Sequence, residues 1–235
     1  MGVRPDENVY RPAMADDVHP ADLLEPLGLS EVDLGAGVRL TEIYTMRGLV
    51  GLMWFGPIDA EKLVVACGGG MGGFLGPGRG MYPAIGRHLA EKGVATVIVD
   101  YRRPSHLQLS TLDAIGAVDV ASQRGASRVV ALGHSFGGAV AINVGLALPR
   151  AVVGVCTLST QSAGCEGVAG LVPRPFLLIH GADDDVLPAE SSHVVQRLAH
   201  GHGDVEILPG EGHGLTNNST ATADRICRWV TSVFG

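Results

Sequence analysis

Positive charge is scarce in this sequence. Seventeen lysines and arginines stand against 24 aspartates and glutamates, so the formal net charge is −7, and the basic residues are dispersed along the chain. Nucleic acids and anionic membranes are bound by concentrated positive charge. The composition therefore argues against both of these partners and favours a small-molecule substrate, while it leaves the oligomeric state open.

Long apolar runs and paired cysteines are also missing. No stretch reaches the roughly 18 apolar residues of a transmembrane helix. Residues 1–26 mix charges and prolines where a signal peptide would need an apolar run. The four cysteines, at 67, 156, 165 and 227, lack metal-binding spacing. We therefore predict a cytoplasmic protein with buried free thiols and without a metal or another cofactor.

What the sequence does contain is a large share of apolar residues. Hydrophobic residues make up 46% of the 235 residues and charged residues 17%, a balance typical of one domain built on a well-buried parallel sheet. Residues 1–35 are rich in aspartate and proline and are predicted to be an irregular leader. Residues 36–235 are predicted to be the single folded domain.

Short β-branched runs alternate with helix-length segments in this domain, which is the pattern of parallel strands joined by crossover helices. Residues 38–46 and 49–55 predict an antiparallel hairpin at its start. Further strands are predicted at 62–67, 95–101, 128–133, 152–159, 176–180 and 205–208. Helices are predicted at 82–92, 109–124, 136–148, 189–200 and 220–234. The prediction is an α/β fold with about eight mostly parallel strands and helices on both faces.

The segment Gly133-His134-Ser135-Phe136-Gly137 matches G-x-S-x-G, in which a serine lies on a sharp turn between a strand and a helix. A predicted strand precedes the motif and a predicted helix follows it. The flanking glycines give room for a strained turn. The start of the helix would present the backbone N–H of Phe136 to an oxyanion near Ser135. The alternative is that Ser135 only caps the helix.

A serine hydroxyl becomes a nucleophile when a base takes its proton, so this interpretation needs a histidine and an acid on other loops. Three aspartates, at 183, 184 and 185, follow the predicted strand 176–180, and their chemistry alone does not choose among them. His213 lies between glycines after the last predicted strand, on a loop that can approach a neighbouring strand end. Serine, acid and histidine thus follow one another in this order along the chain.

These motifs and the strand–helix alternation resemble the α/β-hydrolase family over residues 38–235. The sequence is most similar to small uncapped members related to dienelactone hydrolases and carboxylesterases, since the connection between the predicted strands 152–159 and 176–180 is too short for a cap domain. The family's acid loop often reads H-G-x-x-D-x-x-x-P, and the resemblance assigns the acid to Asp184, with Asp183 as the alternative. It assigns the nucleophile to Ser135 and the general base to His213.

The glycine-rich residues 68–73 follow the strand at 62–67 and have two interpretations. They resemble the family's H-G-G-G element, with Cys67 in place of the histidine, which implies that Gly69 and Gly70 donate N–H groups to the oxyanion. They also satisfy G-x-G-x-x-G, a dinucleotide-binding pattern in which Asp100 would bind a ribose. That alternative requires a helix directly after the glycines, whereas residues 74–80 are too rich in glycine and proline to form one.

The sequence therefore predicts a serine hydrolase that cleaves an ester-like bond (carboxylic ester, lactone or thioester) through an acyl-enzyme. Met71, His134 and Leu215 are expected to contact the substrate. Arg102, in a D-Y-R segment similar to the family's, is expected to be structural, with binding of a substrate carboxylate by Arg102 or Arg103 as the alternative. Two other functions stay open at this point: lyase or cyclising chemistry by the same three residues, and ligand binding without catalysis.

Overall fold

The computed structural model describes residues 24–235, so most of the predicted leader, residues 1–23, lies outside the described residues. The strands are β1 (Pro26–Gly35), β2 (Val38–Thr45), β3 (Gly48–Phe55), β4 (Lys62–Cys67), β5 (Ala95–Asp100), β6 (Arg128–His134), β7 (Val152–Leu158), β8 (Phe176–Gly181) and β9 (Asp204–Leu208). The α-helices are α1 (Met81–Ala90), α2 (Leu107–Ser122), α3 (Phe136–Ala147), α4 (Glu190–Leu198) and α5 (Ser219–Phe234).

All nine strands form one sheet, in the order β1-β2-β3-β5-β4-β6-β7-β8-β9. The first three pairs in this order, β1–β2, β2–β3 and β3–β5, are antiparallel, and every pair from β5–β4 to β8–β9 is parallel. This confirms the predicted antiparallel hairpin and the mostly parallel sheet. Because the strands from β4 onward are parallel, their carboxyl ends meet at one edge of the sheet, which is where open α/β sheets bind ligands.

The core consists of two apolar layers, one on each face of the sheet. Alternate residues of the strands pack against α2, α3 and α4 on one face and against α1 and α5 on the other. Strand β4 shows why the central strands read as continuous apolar runs, since Leu63 to Cys67 are all buried and neighbours along the strand enter opposite layers. The helices on both faces match the sequence-based expectation.

Strand β1 departs from the prediction, because residues 26–35 were expected to belong to an irregular leader. They pair with β2 over its whole length. An edge strand tolerates the proline at its first position and the glycines within it, since only one side of it enters the ladder. Glu31 ties the strand to the domain by accepting hydrogen bonds from Thr41 Oγ1 at 3.0 Å and from Arg124 Nη2 at 2.8 Å.

The connection between β7 and β8 carries no cap domain. Residues 159–175 contain a single short 3₁₀ helix (Val168–Leu171) whose apolar residues are buried against the body of the protein. Asn143 on α3 fixes the connection by donating from Nδ2 to the carbonyl oxygen of Gly164 at 2.8 Å. Among residues 24–235, this connection therefore places no cap over the carboxyl edge of the sheet. Within residues 24–235, no helix has both the length and the apolarity needed to cross a lipid bilayer.

Candidate active site

Ser135 lies on the turn between β6 and α3 with φ 55° and ψ −120°, a strained conformation for a residue with a side chain. The turn is possible only with glycine on either side. A Cβ on Gly133 would lie 1.9 Å from the carbonyl oxygen of Gly137, and a Cβ on Gly137 would lie 2.1 Å from that of Cys67. The spacing of the G-x-S-x-G motif is thus explained by backbone packing, which lifts Ser135 above the sheet edge.

His213 contacts both Ser135 and an aspartate. Its Nε2 lies 3.0 Å from Ser135 Oγ, and its Nδ1 lies 2.8 Å from Asp184 Oδ2. An ionised carboxylate only accepts hydrogen bonds, so Nδ1 carries the ring hydrogen and Nε2 is free to accept one from the serine hydroxyl. The structure therefore brings together the three residues that the sequence singled out, although 78 residues separate Ser135 from His213.

Asp184 is the one carboxylate of its loop that points inward. Its side chain is wholly buried, whereas Asp183 and Asp185 are exposed. Oδ1 accepts hydrogen bonds from the backbone N–H groups of Val186 at 2.9 Å and Leu187 at 2.8 Å. Burial alone would raise the pKa of Asp184, but the hydrogen bonds from Leu187, His213 and Val186 outweigh it and lower the pKa. The alternative acid, Asp183, makes no side-chain contact with His213 among the bonds described.

The loop that carries His213 is fixed by groups that sequence reasoning did not identify. A Cβ on Gly181 would lie 2.2 Å from the carbonyl oxygen of Glu211, so the loop passes directly over the end of β8. The buried carboxylate of Glu211 accepts hydrogen bonds from the backbone N–H groups of Asn217, at 3.1 Å, and Asn218. Nothing in G-E-G-H-G signals that this glutamate turns inward rather than into solvent.

His134, which was expected to contact substrate, contacts the loop that carries His213. Its Nε2 lies 2.9 Å from the carbonyl oxygen of His213, so Nε2 carries the ring hydrogen and donates it. The two imidazole rings are 4.9 Å apart. Burial lowers the pKa of His134 to about 4, so the ring is neutral at physiological pH. His134 therefore holds the backbone of His213 in place.

The glycine loop lies against the nucleophile. A Cβ built on Gly69 would be 3.9 Å from Ser135 Cβ, and one built on Gly70 would be 3.9 Å from Phe136 Cβ. Ser105 Oγ donates to the carbonyl oxygen of Gly70 at 2.7 Å, which anchors the loop from the end of β5. The backbone of Gly69 and Gly70 thus lies beside the start of α3, where residue 136 begins the helix.

The same loop does not have the geometry of a dinucleotide site. The dinucleotide pattern requires a helix directly after its glycines, but the next helix in the chain after residues 68–73 begins only at Met81. Asp100 Oδ1 accepts the N–H of Gly73 at 2.7 Å, and a Cβ on Gly72 would lie 2.8 Å from the same oxygen. The carboxylate of Asp100 is used to hold the glycine loop and not to bind a ribose, so the dinucleotide interpretation is wrong.

A comparison with protein-family models matches residues 107–226, more than half of the chain, to the phospholipase/carboxylesterase family. The chain belongs to this family. The matched region includes Ser135, Asp184 and His213, together with the turn and loops that carry them. The family and the fold identify a hydrolase that acts on ester bonds, as the sequence predicted.

Solved structures share the fold at low sequence identity. Est1E from Butyrivibrio proteoclasticus aligns with a TM-score of 0.72 and 16% identity over 83% of this chain and 98% of its own. A dienelactone hydrolase from Anabaena variabilis aligns with a TM-score of 0.66 and 16% identity over 87% and 98%. A thioesterase domain from the curacin biosynthetic pathway aligns with a TM-score of 0.61 and 11% identity over 83% and 99%. No curated protein sequence gives a significant match.

Two other residues were expected to contact the substrate at this carboxylesterase-family site, Met71 and Leu215, and they differ in exposure. Met71, next to Gly70, is 96% exposed and free to contact a substrate. Leu215 is fully buried among the side chains that pack α1 and α5 on the sheet. The expectation that Leu215 binds substrate is therefore wrong, because its side chain is part of the core.

Arg102 is also buried, as expected for a structural residue. Its Nε lies 2.7 Å from Asp113 Oδ1, and both side chains are almost inaccessible to solvent. Burial raises the pKa of Asp113 to about 6, although the arginine acts in the opposite direction. A substrate carboxylate cannot reach this guanidinium, whereas Arg103 is exposed. In the part of the chain that is described, no group of three side chains has the composition and arrangement of a metal site.

Proposed function

We propose that the chain is a serine hydrolase in which Ser135 attacks an ester-like carbonyl, His213 is the general base and Asp184 orients His213. The observation that carries this proposal is the continuous chain of two hydrogen bonds, 3.0 Å from serine to histidine and 2.8 Å from histidine to aspartate. A contact within about 2.6–3.2 Å is what proton transfer requires. The low pKa of Asp184 keeps it ionised, as the role requires.

In the first half-reaction, Ser135 Oγ bonds to the carbonyl carbon and its proton passes to His213 Nε2. The imidazolium that forms is stabilised by Asp184 through Nδ1. The tetrahedral oxyanion is proposed to bind the backbone N–H of Phe136 and that of Gly69 or Gly70. The proton then passes from His213 to the leaving oxygen or sulfur, the carbon–heteroatom bond breaks, and an acyl-Ser135 ester remains.

In the second half-reaction, water gives a proton to His213 and attacks the acyl-enzyme. The second tetrahedral intermediate collapses, Ser135 recovers its proton, and a carboxylic acid is released. Esters, thioesters and lactones all fit this sequence, since each offers a carbonyl with a leaving oxygen or sulfur. We propose a small molecule as the substrate and the cytoplasm as the location, consistent with four cysteines that are all buried free thiols.

We also propose that residues 36–235, together with strand β1, act as one catalytic domain. The sheet joins β1 to the strands that carry the site without interruption. The open edge left by the short β7–β8 connection leaves access to Ser135 without movement of a cap.

The proposal is tested by hydrolysis of a panel of nitrophenyl esters, thioesters and lactones by the wild type and by Ser135→Ala. The rate should fall about 10⁴-fold or more in the variant, while Ser127→Ala, at an exposed serine before β6, should leave it unchanged. A folded wild type that turns over none of these substrates, or a Ser135→Ala variant that retains the rate, would contradict the proposal.

A further inference from the structure

One oxygen of Asp184 lies between two imidazole rings. Oδ2 is 2.8 Å from His213 Nδ1 and 3.1 Å from Nε2 of His180, the histidine near the end of β8. The side chains of Asp184 and His180 are both wholly buried. A second histidine on the acid is not needed for the proposed proton transfer.

The surroundings of His180 determine which ring nitrogen carries its hydrogen. Nε2 faces two acceptors, Asp184 Oδ2 and the carbonyl oxygen of Leu187 at 3.0 Å, so Nε2 must be the donor. Nδ1 lies 2.7 Å from Ser192 Oγ on α4, whose hydroxyl can donate to it. Burial lowers the pKa of His180, so the ring is neutral at physiological pH. His180 is thus a neutral, buried donor aimed at Asp184.

We propose that His180 is a positioning residue, whose Nε2–H shares the charge of Asp184 Oδ2 with His213 and thereby sets the pH at which His213 takes up a proton. Ser192 holds the ring in the required tautomer. The inference rests on the proposed function, because it acts through the pair formed by His213 and Asp184. Hydrogen bonds to an ionised carboxylate are strong, and each one that the carboxylate accepts lowers the charge available to the next.

The direction of the effect follows from this sharing. Without the Nε2–H of His180, more of the negative charge on Asp184 acts on His213, so the imidazolium becomes more stable. His213 then becomes protonated at a higher pH, where it can no longer accept the proton of Ser135. The other titratable groups beside His213 are His134, whose ring lies 4.9 Å away, and the buried carboxylate of Glu211 on the same loop; none of the hydrogen bonds described joins either group to His180.

The test compares pH profiles of kcat/KM for ester hydrolysis. His180→Met removes the donor, His180→Gln keeps an N–H near the position of Nε2, and His88→Gln on the exposed face of α1 is the control. His180→Met should move the acid limb to higher pH by about one unit and lower kcat about tenfold at pH 6, with KM changed less than about twofold. His180→Gln should restore most of both, and Ser192→Ala should shift the limb the same way by less. His88→Gln should match the wild type.

An acid limb that stays in place in folded His180→Met or Ser192→Ala would overturn the inference while leaving the proposed function intact, provided that hydrolysis still depends on Ser135. If His180→Met does not fold, imidazole ¹⁵N NMR of the wild type decides. The inference requires hydrogen on Nε2 of His180 and a neutral ring at pH 7. Hydrogen on Nδ1 instead, or a protonated ring, would overturn it. If hydrolysis did not depend on Ser135, that result would contradict the proposed function and not only the role of His180.

Discussion

Replacing Asp184 with asparagine would test the acid without removing its backbone contacts. The asparagine Oδ1 can still accept the N–H groups of Val186 and Leu187, which lie 2.9 and 2.8 Å away in the wild type. Its Nδ2, however, is a donor, so one of its hydrogens and the hydrogen on His213 Nδ1 would point at each other across a gap of 2.8 Å. We therefore expect His213 to move its hydrogen to Nε2, where the ring can no longer accept the proton of Ser135.

The size of the effect follows from this change of tautomer. The wrong tautomer lowers kcat by about 10⁴ in a serine–histidine–aspartate site, which corresponds to about 5.4 kcal/mol of activation free energy. The free energy of unfolding should fall much less, by about 1–3 kcal/mol, because only the contact between the asparagine Nδ2 and the Nε2–H of His180 stays poorly matched once His213 has changed tautomer. Asp184→Asn should therefore be folded and nearly inactive.

The assay is hydrolysis of a nitrophenyl ester at pH 7–8, with urea unfolding measured on the same samples. Asp183→Asn and Asp185→Asn are matched controls, since both side chains are exposed neighbours of Asp184. Each should keep kcat/KM within about twofold of the wild type. The reasoning would be refuted if folded Asp184→Asn kept a tenth of the rate, or if Asp183→Asn lost more activity than Asp184→Asn.

Three further substitutions have expected outcomes. Gly137→Ala, whose Cβ would lie 2.1 Å from a backbone carbonyl oxygen, should abolish activity and lower the unfolding midpoint, whereas Gly28→Ala, with no atom within 4 Å, should do neither. The pKa of His134 falls from 6.5 in the unfolded chain to about 4 in the folded one, so between these pH values only the unfolded chain takes up the proton. The free energy of unfolding should therefore fall by up to about 3 kcal/mol from pH 6.5 to pH 4, and urea titrations should show a smaller fall in His134→Gln. Arg102→Met strands the buried Asp113 carboxylate and should cost about 3–5 kcal/mol in urea unfolding, with activity per folded molecule retained.

Features that depend on neighbouring residues could be predicted from the sequence. The inner parallel strands β4 to β8 are buried on both faces, so each reads as a short apolar run, and their bounds lie within a few residues of the prediction. The G-x-S-x-G turn was recognisable because its two glycines have a fixed spacing around Ser135, although the carbonyl oxygen that requires Gly137 belongs to Cys67, on a different strand. The histidine loop was recognisable by its glycines.

Features that depend on distant contacts were missed. Strand β1 mixes leucines and a valine with glycine, serine and acidic residues, and its pairing with β2 identifies it as a strand. Leu215 lies two residues from His213 and was expected at the substrate, but the chain turns there at φ 49° and places the side chain in the core. Glu211 and His180 look like ordinary loop and strand residues, because their hydrogen-bond partners are set by the folded chain.

The central claim, that Ser135 is a nucleophile activated by His213, is tested most directly by labelling with a fluorophosphonate and mapping the adduct by mass spectrometry. We expect a single adduct on Ser135 in the wild type, none in Ser135→Ala, and labelling slowed at least 100-fold in His213→Gln. A folded wild type that stays unlabelled, or an adduct on a residue other than Ser135, would contradict the account.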